Sequence, residues 1–536
     1  MSYVKYVIAI AVLVMAVAIA LTPPPESLVD SLAKVLYEEA ARSKPVSVSA
    51  CYVNATWAGP AVVYNASSNE VVVTYYVCPS WNEAYQKARL LAPKAMAMLG
   101  IILLALVYWA TEAIPIPLTS VVIILLVVIF GILPLKDALA YIASDVNILV
   151  LAGLIISVAL SKYEVDKYLS LKLLYLLGER ADRIVLGMIL STAFISMWIP
   201  NTAAAAIMAP VAAGMLSLLG AKKGTSNLAK AMMIGVAFGA TIGGIGTPVG
   251  TTPVPITISN VERATGIYIG FATWMAWGVP LVLILVLITW QLLIKVYKPE
   301  VEVVVGGREL VAQELNKIGG LTGLKRKTLL LFLVAVALWI LDPVVGSYIA
   351  NWTYIASLVI IIMFIAPGIG VLDWDEAASK ADWGTLFLVA GGLAIGGGLR
   401  VTRISDLISR ATASYLQGLN PVAMLIVVGL ISGLATVVFC SITATSSAMV
   451  PVSIAIARAL NLHPLVAAVV SGISSCFAFM FPASTPPNAI AYSYGYFKSS
   501  EMTKVGGPLI AISVLVSALF VVAVVPVVMG VPLTLS

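Results

Sequence analysis

Long apolar blocks separated by short polar breaks run through the chain, continuous rather than alternating. After an opening run at 1–21 they occupy 95–113, 118–134, 147–161, 184–218, 228–258 and 271–296. They resume at 329–348, 353–371, 384–399, 421–460, 464–494 and 507–531. A helical crossing of the hydrocarbon core needs about 20 apolar residues, whereas barrel strands alternate. The pattern predicts an all-α polytopic membrane protein with about eleven transmembrane helices. Four blocks are interrupted: 184–218 at Pro200, 228–258 over Gly243–Pro255, 421–460 near Ser441, and 464–494 at Pro482–Pro487.

Residues 22–92 are the one long polar stretch. Ser27–Arg42 reads as an amphipathic helix, and alternation between Val46 and Val77 predicts a small hairpin. Cys51 and Cys78 flank that hairpin and form a candidate disulfide if it faces an oxidising compartment. Asn54-Ala55-Thr56 and Asn65-Ala66-Ser67 are glycosylation-type tripeptides in the same stretch. The run before it ends in Leu21-Thr22-Pro23-Pro24-Pro25, a poor cleavage site, so 1–21 is expected to stay as the first span. The expected organisation is therefore a first helix (1–21), a small β-containing extracytoplasmic insertion (22–92), a first repeat (93–296), a cytoplasmic linker (297–328) and a second repeat (329–536).

At 61% hydrophobic and 10% charged, the 536 residues cannot be a soluble protein. The formal charge of +6 calls for no nucleic-acid partner, because Lys and Arg gather in the loops facing the cytoplasm. Loop 297–328 carries Lys298, Arg308, Lys317, Lys325, Arg326 and Lys327, so it is read as inside. Counting crossings back puts the N-terminus inside and 22–92 outside, in a cytoplasmic membrane. Arg400, Arg403 and Arg410 then fall outside, against the rule. One histidine and four cysteines leave little for a metal centre, and mid-span acids are too few for an intramembrane enzyme. His463 reads as a cap or loop residue, Asp145 and Asp382 as N-caps, Glu112 as an interfacial cap, Trp198 as packing or an interface anchor, and Cys440 and Cys476 as small core residues.

The two halves repeat. Trp198-Ile199-Pro200-Asn201-Thr202-Ala203 aligns with Phe439-Cys440-Ser441-Ile442-Thr443-Ala444, displaced by 241 positions. Gly246-Thr247-Pro248 aligns with Ser484-Thr485-Pro486, and Val150-Leu151-Ala152-Gly153 with Leu388-Val389-Ala390-Gly391, both displaced by 238. If 184–218 and 421–460 are re-entrant hairpins, each half makes five crossings. An odd number turns the second copy over, giving the inverted repeats common in secondary transporters.

Unpaired backbone at membrane depth must line a cavity or be buried in protein. The four interruptions form two matched pairs of hairpin tip and broken helix. Broken helices present N–H groups to an anion and free carbonyls to a cation. Thr202, Thr247, Thr443 and Thr485 add hydroxyls, and no Lys or Arg lies in these segments. A small anion would be held there by dipoles, hydroxyls and a co-bound cation.

From about residue 95 onward the chain resembles the divalent anion/sodium symporters, a family of dicarboxylate, citrate and sulfate transporters. The resemblance is carried by Ser475-Cys476-Phe477-Ala478-Phe479-Met480-Phe481-Pro482-Ala483-Ser484-Thr485-Pro486-Pro487-Asn488-Ala489-Ile490, by Trp109-Ala110-Thr111-Glu112-Ala113-Ile114-Pro115, and by Phe194-Ile195-Ser196-Met197-Trp198-Ile199. It implies a homodimer in the bilayer, an elevator-like motion, and two Ser-Asn-Thr tips that bind a substrate carboxylate beside sodium ions. The first sodium site would use Ser196, Asn201 and the carbonyl near Gly246, with Thr202, Thr247 and Pro248 toward substrate. The second would use carbonyls near Ser441 and Ser484, with Ser441, Thr443, Thr485 and Pro486 toward substrate. Departures fall on both sites, and the first break reads Gly250-Thr251-Thr252-Pro253-Val254-Pro255, without the Pro-Pro-Asn of 486–488. Pro200 replaces Ser at the first tip, Ile442 replaces Asn at the second, and Val437 stands where the first repeat has Ser196. Ile and Val offer no oxygen. One sodium ion is thus favoured over two, and sodium-independent exchange of anions is the alternative.

Overall fold

The computed structural model describes residues 3–42, 60–65, 70–75, 81–416 and 418–535. The expected Cys51–Cys78 disulfide and the Asn54 tripeptide lie outside the described residues. Two helices open the chain, α1 (Tyr3–Leu21) and α2 (Glu26–Arg42). Prolines 23–25 cannot continue a helix, and the chain turns by 67° between the two. Strands β1 (Pro60–Asn65) and β2 (Glu70–Tyr75) pair antiparallel with Val62 opposite Val73, inside the range where alternation predicts a hairpin.

The next helix, α3 (Trp81–Thr111), crosses residue 92 without a break. Its polar first turns bury Ala84, Ala88 and Ala92, a four-residue spacing that makes them one face of the same helix. The first half continues with α4 (Ile116–Ile129), α5 (Leu135–Ala140), α6 (Asp145–Lys162), α7 (Val165–Leu176), α8 (Ala181–Ser196) and α9 (Asn201–Leu218). It ends with α10 (Asn227–Gly243), α11 (Pro253–Thr265) and α12 (Phe271–Val296). The linker holds α13 (Gly307–Ile318). The second half comprises α14 (Gly323–Ile340), α15 (Asp342–Val345), α16 (Trp352–Ile365), α17 (Trp374–Lys380), α18 (Trp383–Val401) and α19 (Ile404–Leu416). After these come α20 (Pro421–Phe439), α21 (Ile442–Ala459), α22 (Pro464–Ser474), α23 (Pro486–Ser493) and α24 (Ser499–Met529).

Packing is matched between the halves. Helix α4 lies on α18 and α6 on α16; α10 lies on α23 and α11 on α22; α9 meets α23 and α21 meets α11. Among the described residues nine helices are long and apolar enough to cross a bilayer, or ten with α1 and α2 as one bent span. The count of about eleven made from sequence treats α4, α14 and α16 as crossings and the paired arms α8–α9 and α20–α21 as returning. At 14 residues each, α4 and α16 are about 21 Å long, short of a ~30 Å hydrocarbon core.

One apolar core surrounds α10, which is buried along its whole length. A second joins α1–α4 to α18 through Met98, Leu104, Ile123, Val127, Val389 and Leu393. Caps fix where helices begin. Ser144 rather than Asp145 caps α6, because its hydroxyl, one residue earlier, accepts from the Asn147 amide at 3.4 Å and leaves Asp145 as the first helical residue. Asp382 is the cap residue of α18, with its carboxylate taken by Thr385 Oγ1 at 2.7 Å. His463 caps α22, Nδ1 accepting from the Leu465 amide at 3.3 Å. At α10, linker residue Glu300 accepts from the amides of Asn227 and, at 3.1 Å, Leu228. Burial alone would raise the Glu300 carboxyl, but these N–H contacts outweigh it and hold it below its ordinary value of 4.5. Trp198 packs edge-on against Phe332 at 5.0 Å.

Candidate functional site where the interrupted helices meet

The first tip is the turn between α8 and α9. Pro200 sets the N-cap backbone of α9 (φ −52°, ψ 140°) and brings no side-chain cap, so the N–H groups of the first turn stay open. Asn201 is the first helical residue and reaches across to the broken helix. Ser196 Oγ donates to Ala240 O at 2.6 Å and lies 2.7 Å from Asn201 Oδ1, while Asn201 Nδ2 lies 3.3 Å from Thr251 Oγ1. Turned over, the same amide would point its nitrogen at Ser196 Oγ (2.7 Å), Gly250 O (3.2 Å) and Ala240 O (3.2 Å). Either way Asn201 sits among four oxygens.

Glycine makes that crowding possible. A Cβ at Gly250 would stand 2.6 Å from Gly244 O and 2.7 Å from Ser196 O. Only a bare backbone lets these carbonyls converge. A single 3-10 turn, Gly244–Gly246, forms the bend after α10, and Trp274 Nε1 holds it by donating to Ile245 O at 2.9 Å. Thr247 is fully buried and donates to Met197 O, tying the bend to the tip. Pro248 is buried next to it, whereas Thr202 is exposed.

At the second tip Cys440 takes a left-handed backbone (φ 48°) and Ser441 caps α21, accepting from the Ala444 amide at 3.2 Å. Ile442 and Val437 are half-buried at the positions of Asn201 and Ser196. The second break runs from Ser475 through the 3-10 turn Pro482–Ser484 to α23. Ser484 Oγ and Thr485 Oγ1 are buried there without a hydrogen-bond partner, while Pro486 is exposed. Asn488 Nδ2 closes the turn by donating to Ala478 O (2.8 Å) and Phe481 O (3.0 Å).

The two halves touch at this point. Thr252 Oγ1, in the first break, lies 2.5 Å from Thr443 Oγ1, at the second tip. The Asn201–Thr251 and Thr252–Thr443 contacts therefore sit on adjacent residues of the first break and bring the two halves together there. Thr251, Thr252 and Thr436 are not singled out by the sequence pattern. The helix restarts at Pro253 in one half and at Pro486 in the other, so matching the restarts, rather than the Gly-Thr-Pro and Ser-Thr-Pro letters, pairs the residues before those prolines and points to Thr251 and Thr252. Thr436, one residue before Val437, donates to Ser475 O at 3.0 Å and ties α20 to α22, much as Ser196 ties α8 to α10.

A multi-pass helical membrane protein whose broken helices converge on uncharged oxygens is built to carry a solute, and comparison with known proteins makes the class explicit: a transporter, not an enzyme. Residues 80–531 match the sodium:sulfate symporter transmembrane region. The chain belongs to that family. Its relatives include the sodium-dependent dicarboxylate transporter SdcS of Staphylococcus saprophyticus, 29% identical over 466 residues that cover 83% of this chain and 89% of the relative. SdcS of Staphylococcus aureus is 30% identical over 458 residues, covering 82% and 87%. Among solved structures, MtrF of Neisseria gonorrhoeae, from a class of antimetabolite efflux pumps, has 12% identity and a TM-score of 0.50. That likeness covers 94% of this chain and 95% of the other, and concerns fold alone.

Proposed function

We propose that this protein is a sodium-coupled symporter of a small divalent anion, with a C4-dicarboxylate as first choice. The relatives named as sodium-dependent dicarboxylate transporters support the substrate class. The observation that carries the reading is the oxygen cluster at the first tip, joined through Thr252 and Thr443 to the second. Sodium prefers hard oxygen ligands, and Ser196, Asn201 and the converging backbone carbonyls of the glycine bend offer them without a fixed positive charge. The anion would lie against that ion, near the open N–H groups of α9 and the hydroxyls of Ser441, Thr443, Thr251 and Thr485. We assign Thr247 and Pro248 to holding the bend, one layer behind the solute.

The second cation site, around Ser441 and Ser484, is weaker because Ile442 and Val437 carry no oxygen. That asymmetry favours one sodium ion, and it is also the observation behind the rival reading, exchange of anions without sodium. The matched packing of the halves supports inverted repeats and alternating exposure; an elevator-like movement in a homodimer is what the family resemblance implies. The basic linker supports an inside N-terminus and an outside 22–92 segment in the cell membrane.

The test is uptake of radiolabelled succinate, citrate and sulfate into proteoliposomes with an inward sodium gradient, with potassium replacing sodium, and with internal succinate. Sodium-driven accumulation of succinate is expected. Uptake that needs internal anion and ignores sodium would establish the exchanger.

A further inference from the structure

We propose that the N-terminal segment acts as a charge clamp on the transport machinery, with Glu38 and Glu39 of α2 as positioning residues for the arm that carries Ser441 and Thr443. This rests on the transport reading. Residues 1–79 precede the stretch that matches the family, so α2 lies outside that match. Yet α2 is firmly seated. Val29, Leu32, Ala33 and Val35 are buried, α2 packs along α3, and Tyr37 meets Trp81 edge-on at 5.7 Å.

That seating points the last turns of α2 at α19. Glu39 Oε2 lies 2.7 Å from Arg403 Nη2, and Glu38 Oε2 lies 2.9 Å from Arg410 Nη1. Arg403 occupies the corner between α18 and α19 with a left-handed backbone (φ 61°), and its other nitrogen lies 3.4 Å from Asp406. Arg403 and Arg410 are two of the three arginines that violate the charge rule for their side of the membrane. The α2 carboxylates neutralise both. One exposed ion pair does little alone, but these two share one interface and add to the packing of α19 on α21.

The helix they hold leads directly to the second tip. Helix α19 packs along α21, and Leu416, Val428, Val452 and Ile456 close a small apolar core among α19, α20 and α21. Fixing α19 therefore fixes the arm that ends at Thr443, where the second tip meets Thr252. The clamp sets how that arm is presented, without touching the solute.

The full-length protein in proteoliposomes provides the test. E38Q/E39Q keeps shape and removes charge. Its maximal succinate uptake should fall about threefold to tenfold, as expected for losing two half-exposed pairs, with KM unchanged within about twofold. Hydrogen exchange across residues 404–416 should speed up in parallel. E38R and R410E should each lower the rate, and E38R/R410E together should restore it, because the pair re-forms with its signs exchanged. Wild-type uptake and unaltered exchange in E38Q/E39Q would overturn the clamp, as would a folded E38R/R410E that fails to recover. If the wild-type protein takes up no divalent anion, the transport reading falls, while exchange in α19 still tests the clamp.

Discussion

Replacing Asn201 with Ala removes the amide that joins the first tip to the first break. Ser196 keeps its bond to Ala240 O, but Thr251 Oγ1 loses the amide that faces it at 3.3 Å. Leaving one buried polar group unpaired costs about 1–3 kcal/mol, and a bond to a charged partner contributes about 1.5–3 kcal/mol. If Asn201 Oδ1 is a sodium ligand, the loss is of the second kind. At about 1.4 kcal/mol per decade, half-saturating sodium should rise roughly 10- to 100-fold. The assay is the sodium titration of succinate uptake, read beside the sodium dependence of Tm. Sodium should raise Tm in the wild type, because it binds only the folded protein, and the rise should be largely absent in the variant. Asn201→Asp separates the roles. It keeps an oxygen for sodium and should retain much of the Tm rise, but its charge opposes the incoming anion and should suppress uptake. A folded Asn201→Ala protein with the wild-type sodium titration would refute the assignment.

The same geometry yields four further expected outcomes. Ile442→Asn with Val437→Ser restores oxygen to the second tip and should increase sodium affinity or make the sodium titration steeper. Gly250→Ala drives a methyl against Gly244 O and Ser196 O and should abolish uptake while lowering Tm. Thr252→Val and Thr443→Val should each cost stability by stranding the other hydroxyl; the double variant should recover Tm but not uptake, with a coupling of about 0.5–3 kcal/mol. Glu300→Gln removes a carboxylate whose lowered folded value means that its stabilisation is full above about pH 4.5 and fades as pH falls through the folded value. Its Tm deficit, measured between about pH 4 and 8, should be present at neutral pH and shrink in acid.

Membrane class, helix order and the four interruptions were legible in the sequence, because hydrocarbon forbids unpaired backbone and so confines Gly, Pro and Thr breaks to functional depth. Individual contacts were less so. Thr247 carries the letter pattern of a ligand yet bonds to Met197 O, while Thr251 and Thr252 do the bridging. The break runs on past the Gly-Thr-Pro letters, and only the helix restart at Pro253 reveals the register. Asp145 is displaced from its cap position by one residue, since Ser144 is the shorter reach to the Asn147 amide. The arginines at 403 and 410 stood out as misplaced charge, but Glu39, the partner of Arg403, lies 364 residues earlier in the chain. No local pattern records that distance.

The apolar stretch of α10 is wholly buried inside the protein, whereas only about a third of the apolar stretches of α12 and α24 is buried (33% and 39%). A bilayer that is too thick or too thin can strain the outer helices, but that strain reaches the bend at Gly244 only after passing through them. The turn proposed to bind the cation is in this sense upholstered. Altering acyl-chain length should change how fast the protein cycles well before it changes how tightly the cation is held.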